Sequence, residues 1–117
     1  MTPADDLLRR IAERLKAIAE PNRLKILHAL DDRELTVGQV LAAVGSSQTN
    51  VSKHLAVLRR EGVVGSRREG LNVFYRVVDE TAFTICRTVC DGLERQLEEQ
   101  RRTLEQGRGA AGAGRRA

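Results

Sequence analysis

Residues 46–55, SSQTNVSKHL, are polar along almost their whole length, although they lie in the middle of a chain of only 117 residues. Ser46 or Ser47 suits the N-cap of a helix that Gly62 would end. At about 100° per residue, one narrow arc of this helix is apolar and is predicted to face the core. That arc consists of Val51, Leu55 and Leu58. The remaining side chains must therefore face something other than the core.

The polar face of this helix carries short hydroxyls, an amide, a small residue and cations. Its members are Gln48, Thr49, Ser52, Lys53, Ala56 and Arg60. Gln can pair with adenine through two hydrogen bonds, Lys reaches guanine or phosphate, and Ser or Thr reaches either kind of group. A helix that only meets solvent usually carries Glu, Lys and Ala, which favour helix more than Ser, Thr and Asn do. The pattern therefore favours a helix that lies in the major groove of DNA.

Recognition helices contact bases mainly through their N-terminal residues. Here the predicted base contacts are Gln48, Thr49, Ser52 and Lys53. Arg59 and Arg60, farther along, are better placed for contacts with the DNA backbone. His54 borders the apolar arc, so it is predicted to pack or to hydrogen-bond locally rather than to bind a metal. His28 is interpreted in the same way.

Three helices are predicted ahead of the polar one. Residues 5–19 form the first, with apolar residues at steps of three and four. Those residues are Leu8, Ile11, Leu15 and Ile18. Pro21 suits the first turn of a mostly buried second helix. Its apolar residues are Leu24, Ile26, Leu27 and Leu30. Thr36 and Gln39 form a capping box for the third helix, which Gly45 closes. Its inward stripe is Val37, Val40, Leu41 and Val44.

An Arg-rich hairpin, the wing, is predicted after the polar helix. Residues 73–77, VFYRV, alternate as a strand does, and Glu69-Gly70 marks a tight turn. Arg67 and Arg68 lie on this hairpin and are predicted to bind DNA phosphates on either side of the major-groove contacts. Such contacts set the position of the protein on the duplex more than they read its sequence.

A last helix is predicted from Asp79 or Glu80 to about Gln106, and residues 1–106 are assigned to one domain. Residues 107–117, GRGAAGAGRRA, have nothing to bury and are predicted to form a disordered basic tail. The element order α-α-α-α-β-β-α predicts a mostly helical winged helix-turn-helix.

Composition limits the classes of function. Two cysteines and a charged N-terminal stretch without a signal-peptide pattern indicate a cytoplasmic protein without a disulfide framework. No apolar run approaches the ~20 residues of a membrane span. Aromatic residues make up only 3%, which argues against a base-stacking surface for single strands. Because neither a Ser-His-Asp grouping nor a Gly-rich phosphate loop is present, no enzyme activity and no required cofactor is predicted.

Charge is unevenly distributed along the chain. The net charge is +4, yet residues 53–78 carry six cations against two anions. Residues 79–106 carry seven anions against four cations. A basic middle and an acidic late segment indicate that an anionic partner meets the middle of the chain.

The sequence resembles the ArsR/SmtB family of bacterial winged-helix repressors. The resemblance is carried by AIAEPNRLKIL, by SSQTNVSKHL and by LAVLRREGVVGSRREGLNVFYRV, and it covers roughly residues 8–100. It implies a homodimer built from the first and last helices, which binds a partly palindromic DNA operator until a ligand or oxidant relieves repression. It also places Gln48, Thr49, Ser52 and Lys53 at DNA-contacting positions.

A helix-pairing seam supports the dimer independently of the resemblance. Apolar or thiol residues recur at steps of three and four along the last helix. They are Phe83, Cys86, Cys90, Leu93 and Leu97. The first helix offers a matching seam through its own apolar stripe. Two-fold symmetry would set two recognition helices about 34 Å apart, one turn of DNA.

The family's common metal sites are absent from the sequence. Where metal-sensing members carry ELCVCDL, this chain has ELTVGQV, with Thr36 and Gly38 at the thiol positions. The zinc site of another branch needs histidines on the last helix, and residues 79–106 contain none.

Cys86 and Cys90 remain as candidate sensors in the segment CRTVC. Two thiolates could bind a thiophilic ion such as As(III), with a third ligand from elsewhere, or could be oxidised or persulfidated and then bridged. Burial as small apolar residues at the seam is the alternative. Two further alternatives are a family member with a thiol-independent switch and a winged helix that binds proteins instead of DNA.

Overall fold

The computed structural model describes the backbone of residues 3–116 and the side chains of residues 4–108. The helices in this part of the chain are α1 (Pro3–Ile18), α2 (Pro21–Leu30), α3 (Val37–Val44), α4 (Gln48–Arg60) and α5 (Glu80–Arg116). The strands are β1 (Leu35–Thr36), β2 (Val64–Glu69) and β3 (Asn72–Val77). The chain divides into two compact units, Met1–Thr84 and Ile85–Ala117. The order of helices and wing strands confirms the predicted winged helix-turn-helix.

Side-chain caps explain where the short helices begin. Thr36 Oγ1 accepts a hydrogen bond from the Gln39 backbone N–H at 3.2 Å, and Gln39 Oε1 accepts one from the Thr36 N–H at 2.9 Å. This capping box satisfies two backbone donors at the start of α3 and confirms the predicted one. Gly45 ends α3 with a φ of 73°, a left-handed conformation that costs a glycine little.

The sheet contains one more strand than the sequence predicted. Its order is β1-β3-β2, and both pairings are antiparallel. The wing turn is as predicted: Glu69 pairs with Asn72, and Gly70 takes a φ of 62° at the first position of the two-residue loop. A positive φ confined to that position is typical of a type II′ turn. The third strand, β1, was missed because two residues are too few to display an alternating pattern.

The core of the first unit lies between α2, α3, α4 and the sheet. The predicted inner residues of α4 are all buried, and the second half of α2 contributes three more large apolar side chains. The fully buried large residues are Ile26, Leu27, Leu30, Val40, Val51, Leu55, Leu58, Val63 and Val64. The apolar arc read from residues 46–58 is therefore confirmed.

Two predictions about α2 were wrong. Leu24 is 41% exposed rather than buried, and His28 is exposed rather than packed against apolar neighbours. The buried positions of α2 are Ile26, Leu27, Ala29 and Leu30. At about 100° per residue, Leu24 and His28 point roughly opposite to the mean direction of these four. Leu24 was grouped with the core because it is apolar, although its angle places it outside.

The last helix is longer than predicted. α5 has 37 residues and continues ten residues past Gln106, the predicted end. The structure gives residues 107–116, which were predicted as part of a disordered tail, as a continuation of α5. Residue 117 and the side chains from residue 109 on lie outside the described part of the chain, and the assignment of residues 107–117 as a separate tail stays a prediction. None of the helices within residues 3–116 combines the length and the apolar character that a membrane crossing requires.

Candidate nucleic-acid interface

The polar face of α4 is exposed along its whole length. Each of its six members, Gln48, Thr49, Ser52, Lys53, Ala56 and Arg60, is open to solvent. Arg59 is exposed as well, whereas the residues of the opposite arc are almost completely buried. The two sides of α4 are therefore sharply separated: one holds the helix to the core, and the other is free to meet a partner.

The turn that leads into α4 is fixed by side chains. Ser47 is the N-cap, and its hydroxyl accepts a hydrogen bond from the Asn50 backbone N–H at 3.2 Å. The Asn50 side-chain amide donates to Ser46 Oγ at 2.7 Å. Asn50 therefore holds the first turn of α4 in place and does not belong to the polar face. This role was not predicted from the sequence, although an Asn placed three residues after a capping Ser is a signal that could have indicated it.

The cations of α4 keep their charge available. Lys53, Arg59 and Arg60 have no ion pair or hydrogen-bond partner among the described residues. Arg59 and Arg60 lie in the last turn, where positive charge also complements the negative end of the helix dipole. An exposed strip of short polar groups with unpaired cations at its end can supply both base contacts and phosphate contacts.

The two wing arginines differ from each other. The Arg67 guanidinium donates to Glu34 Oε2 at 2.7 Å and to Glu69 Oε2 at 2.6 Å, and it lies 4.8 Å from the centre of the Phe74 ring. The hydrogen bonds that Arg67 donates to Glu34 and, as a smaller cause, to Glu69 raise the pKa of Arg67 above its usual range. Arg68 is exposed and has no partner among the described side chains. The phosphate contact predicted for Arg67 stays a prediction, now with two carboxylates competing for the same donors.

Glu34 is the residue of this region that sequence reasoning missed. It precedes β1 and lies 33 residues before Arg67 in the chain. Only the pairing of β1 with β3 brings Glu34 to the wing, and no local pattern in the sequence predicts that pairing. The hydrogen bond from Arg67 is the largest influence on Glu34 and lowers the pKa of its carboxyl.

His54 lies on the buried side of α4. It is 8% exposed, and its Nδ1 is 3.7 Å from Glu20 Oε2 without a hydrogen-bond partner. The pKa of the Glu20 carboxyl is lowered overall. Desolvation raises it, but the hydrogen bond from the Arg23 backbone N–H and the electrostatic attraction of His54 lower it further. The burial agrees with the predicted packing role of His54 and separates this residue from the polar face.

The two cysteines have different surroundings on α5. Cys86 is half-buried and Cys90 is exposed, and both are free thiols. Burial raises the pKa of the Cys86 thiol, whereas the Glu94 charge is the main cause that raises the pKa of Cys90. Both groups are therefore protonated at neutral pH, which lowers their reactivity as nucleophiles.

Potential ligand atoms gather around Cys90 but do not include Cys86. The Cys90 thiol and the carboxylates of Asp91 and Glu94 lie within 4.8 Å of one another, all exposed. The Cys90 Sγ is 3.7 Å from Glu94 Oε1. The sequence predicted that both thiols would bind one ion. The structure offers an alternative that was not predicted, a site on α5 in which one sulfur and two carboxylate oxygens would be the ligands.

Apolar side chains are exposed on α1 and, separately, on α5. On α1 they are Leu7, Leu8, Ile11 and Leu15. On α5 beyond Thr84 they are Ile85, Val89, Leu93, Leu97 and Leu104. Leu93 and Leu97 of the predicted seam are among them. Ile18, which was assigned to the α1 seam, is 3% exposed and belongs to the core instead. Exposed apolar stripes of this kind mark surfaces that associate with a partner.

Comparison with known proteins gives consistent results. The family model described as "Bacterial regulatory protein, arsR family" matches residues 20–66. The transcriptional repressor SmtB homolog of Synechocystis sp. is 37% identical over 89 residues, which cover 76% of this chain and 67% of the relative. Among solved structures, the chain is similar to the homodimeric winged helix-turn-helix DNA-binding domain of Mb0332 from Mycobacterium bovis. The two align with a TM-score of 0.75 at 31% identity, and the alignment covers 85% of this chain and 93% of that one.

A mycobacterial regulator matches over a longer span. Rv0081 of Mycobacterium tuberculosis, an uncharacterised HTH-type transcriptional regulator, is 34% identical over 103 residues, 87% of this chain and 90% of the relative. Its crystal structure aligns with a TM-score of 0.70 at 34% identity over 86% of this chain and 98% of that one. The matched span includes the polar face and the wing.

Proposed function

The chain belongs to the ArsR family of bacterial regulatory proteins, and from this premise we propose that it is a transcriptional repressor, not an enzyme, that binds double-stranded DNA as a homodimer. The observation that carries the proposal is the exposed polar face of α4, which combines side chains capable of base contacts with cations that have no partner among the described residues. Arg68 of the wing, which has no partner among the described side chains, supports a second point of attachment on the DNA backbone.

The exposed apolar stripes of α1 and α5 support a dimer. Residues such as Leu8 and Leu97 would lose their contact with water if a second copy covered them. The similar winged helix-turn-helix domain of Mb0332 is homodimeric, which is in line with this. A two-fold dimer would present two copies of α4 about 34 Å apart and would therefore favour a partly palindromic operator.

Replacement of Gln48 and Lys53 by alanine tests the base-reading role. We expect the Gln48→Ala/Lys53→Ala variant to bind operator and random duplex equally well, because each base contact contributes roughly 1–3 kcal/mol of discrimination. Competition between the two duplexes in an electrophoretic mobility shift assay measures this preference.

Lys25→Ala/Gln106→Ala is the matched control, since it removes the same two residue types from exposed positions outside α4 and outside the apolar stripe of α5. The control should keep the wild-type preference. A Gln48→Ala/Lys53→Ala variant that still prefers the operator would contradict the role of the polar face.

We further propose that repression is relieved by chemistry at Cys86 and Cys90. They are the two cysteines of the chain and lie one turn apart on α5, among its exposed apolar residues. A change at these thiols would thus alter a surface that the dimer needs. A thiophilic metal or metalloid such as arsenite is the first candidate, because a metal can displace the thiol proton as it binds. Reactive sulfur and peroxide, which act on the thiolate, are the other candidates.

The Cys86→Ser/Cys90→Ser variant tests the sensor. Without reagent it should bind operator as tightly as the wild type, because neither thiol is fully buried. Arsenite, Cd²⁺, persulfide and peroxide are then added in turn while DNA release is followed. The wild type should respond to at least one of them and the variant to none. Release from the variant by the same reagent would favour a thiol-independent switch.

A further inference from the structure

Arg67 is the most constrained cation among the described side chains of the wing. Its two acidic partners come from different elements: Glu69 lies at the end of β2, and Glu34 precedes β1. The strand register explains how they meet. Arg67 pairs with Phe74 across β2 and β3, and Phe74 pairs with Thr36 across β3 and β1. The Arg67 side chain stacks on the Phe74 ring and spans the middle strand to reach Glu34.

This arrangement differs from every other cation proposed to meet DNA. Lys53, Arg59, Arg60 and Arg68 are all exposed and have no partner among the described residues. Arg67 has two carboxylates at hydrogen-bond distance, so its local charge is reversed to a net negative one. Its side chain is nevertheless 48% exposed, which leaves a phosphate access to the guanidinium.

We propose that Glu34, assisted by Glu69, is an internal competitor for the DNA phosphate at Arg67, so that it limits how strongly the wing holds any duplex. The proposal rests on the proposed DNA-binding function. Glu34 is a positioning residue here, since it acts through Arg67 and does not itself touch DNA. Ion pairs between exposed groups are weak and are screened by salt, so a phosphate can replace the carboxylate. A phosphate that takes the Nε and Nη1 donors of Arg67 breaks the hydrogen bonds to Glu34 and Glu69 as it forms its own, which makes that part of the wing contact nearly neutral in free energy.

Glu34→Gln removes the competitor while it keeps the size of the side chain. We expect a steeper salt dependence, because each additional phosphate contact adds about 0.9 to the slope of log K against log salt. A dimer gains two contacts and therefore about 1.8. Affinity for random duplex at low salt should rise by roughly tenfold. Glu69→Gln should act in the same direction, and it changes a residue at the tip of the hairpin, where the fold is least affected.

Two controls separate this mechanism from a general change in charge. Glu99→Gln removes one exposed carboxylate that has no partner among the described side chains and should leave the slope unchanged. In an Arg67→Ala background, Glu34→Gln should also have no effect on the slope, since the competing donor is gone. Thermal unfolding of each variant shows that the wing is intact.

The outcomes are distinguishable. An increase in slope that depends on Arg67 supports the proposal. Wild-type binding with a normal salt dependence, together with an unchanged or shallower slope in both Glu34→Gln and Glu69→Gln, overturns it and leaves the repressor function standing. Lack of salt-dependent duplex binding by the wild type would overturn both.

Discussion

Raising the salt concentration from about 50 to about 200 mM is expected to weaken duplex binding by roughly three orders of magnitude. The physical reason is the release of counterions from the DNA when phosphates are neutralised. Arg59, Arg60 and Arg68 are unpaired among the described residues, so a dimer can place about six of them on phosphates. Six contacts give a slope of about −5.4 for log K against log salt. Fluorescence anisotropy of a labelled duplex over a salt series measures this slope.

The contribution of these arginines is checked by Arg60→Ala/Arg68→Ala. Loss of four contacts in a dimer should reduce the slope by about 3.6. Arg95→Ala, an exposed arginine of α5, is the control and should leave it unchanged. A wild-type slope near zero would contradict DNA binding and would favour the alternative of a winged helix that binds proteins.

Leu58→Ala is expected to lower the free energy of unfolding by about 2–5 kcal/mol. Leu58 is fully buried on the inner arc of α4, so its truncation leaves a cavity that the neighbouring side chains fill only in part. This loss is a large fraction of the roughly 5–15 kcal/mol that stabilises a typical domain. Urea denaturation followed by circular dichroism gives the value, at one fixed protein concentration because a dimer couples stability to concentration.

Leu71→Ala is the matched control for the core. Leu71 is fully exposed in the hairpin loop, so the same chemical change creates no cavity there. It should alter the free energy of unfolding by no more than about 0.5 kcal/mol. Equal effects of the two substitutions would mean that α4 does not pack on the core through this side.

Local patterns in the sequence were sufficient for most of the fold. The capping box at Thr36, the apolar arc of α4 and the turn at Gly70 each depend on residues a few positions apart, and the structure confirms all three. Predictions that depended on distant residues were less complete. β1 is too short to be recognised, and only its pairing with β3 explains why Glu34 reaches Arg67.

In the candidate site, too, local patterns predicted what depends on neighbouring residues and missed what depends on distant ones. Periodicity alone predicts that Lys53 and Arg60 point outward, because the angle between helix positions is fixed. It cannot reveal which cations are already paired, and so it treated Arg67 and Arg68 alike. The cysteines are a further example of this limit. Their spacing is visible in the sequence, but only the short distance between Cys90 and Glu94 in the structure shows that the Glu94 charge raises the pKa of Cys90.

The separation of α4 into two independent sides has a consequence for engineering. Asn50, Ser46 and Ser47 hold the first turn, and the buried arc anchors the helix, so no residue of the polar face is required for folding. A combinatorial library at positions 48, 49, 52 and 53 should therefore yield folded members at high frequency. With the base contacts proposed for these four positions, selection from such a library should retarget the scaffold to new promoters without compensating changes elsewhere in the chain.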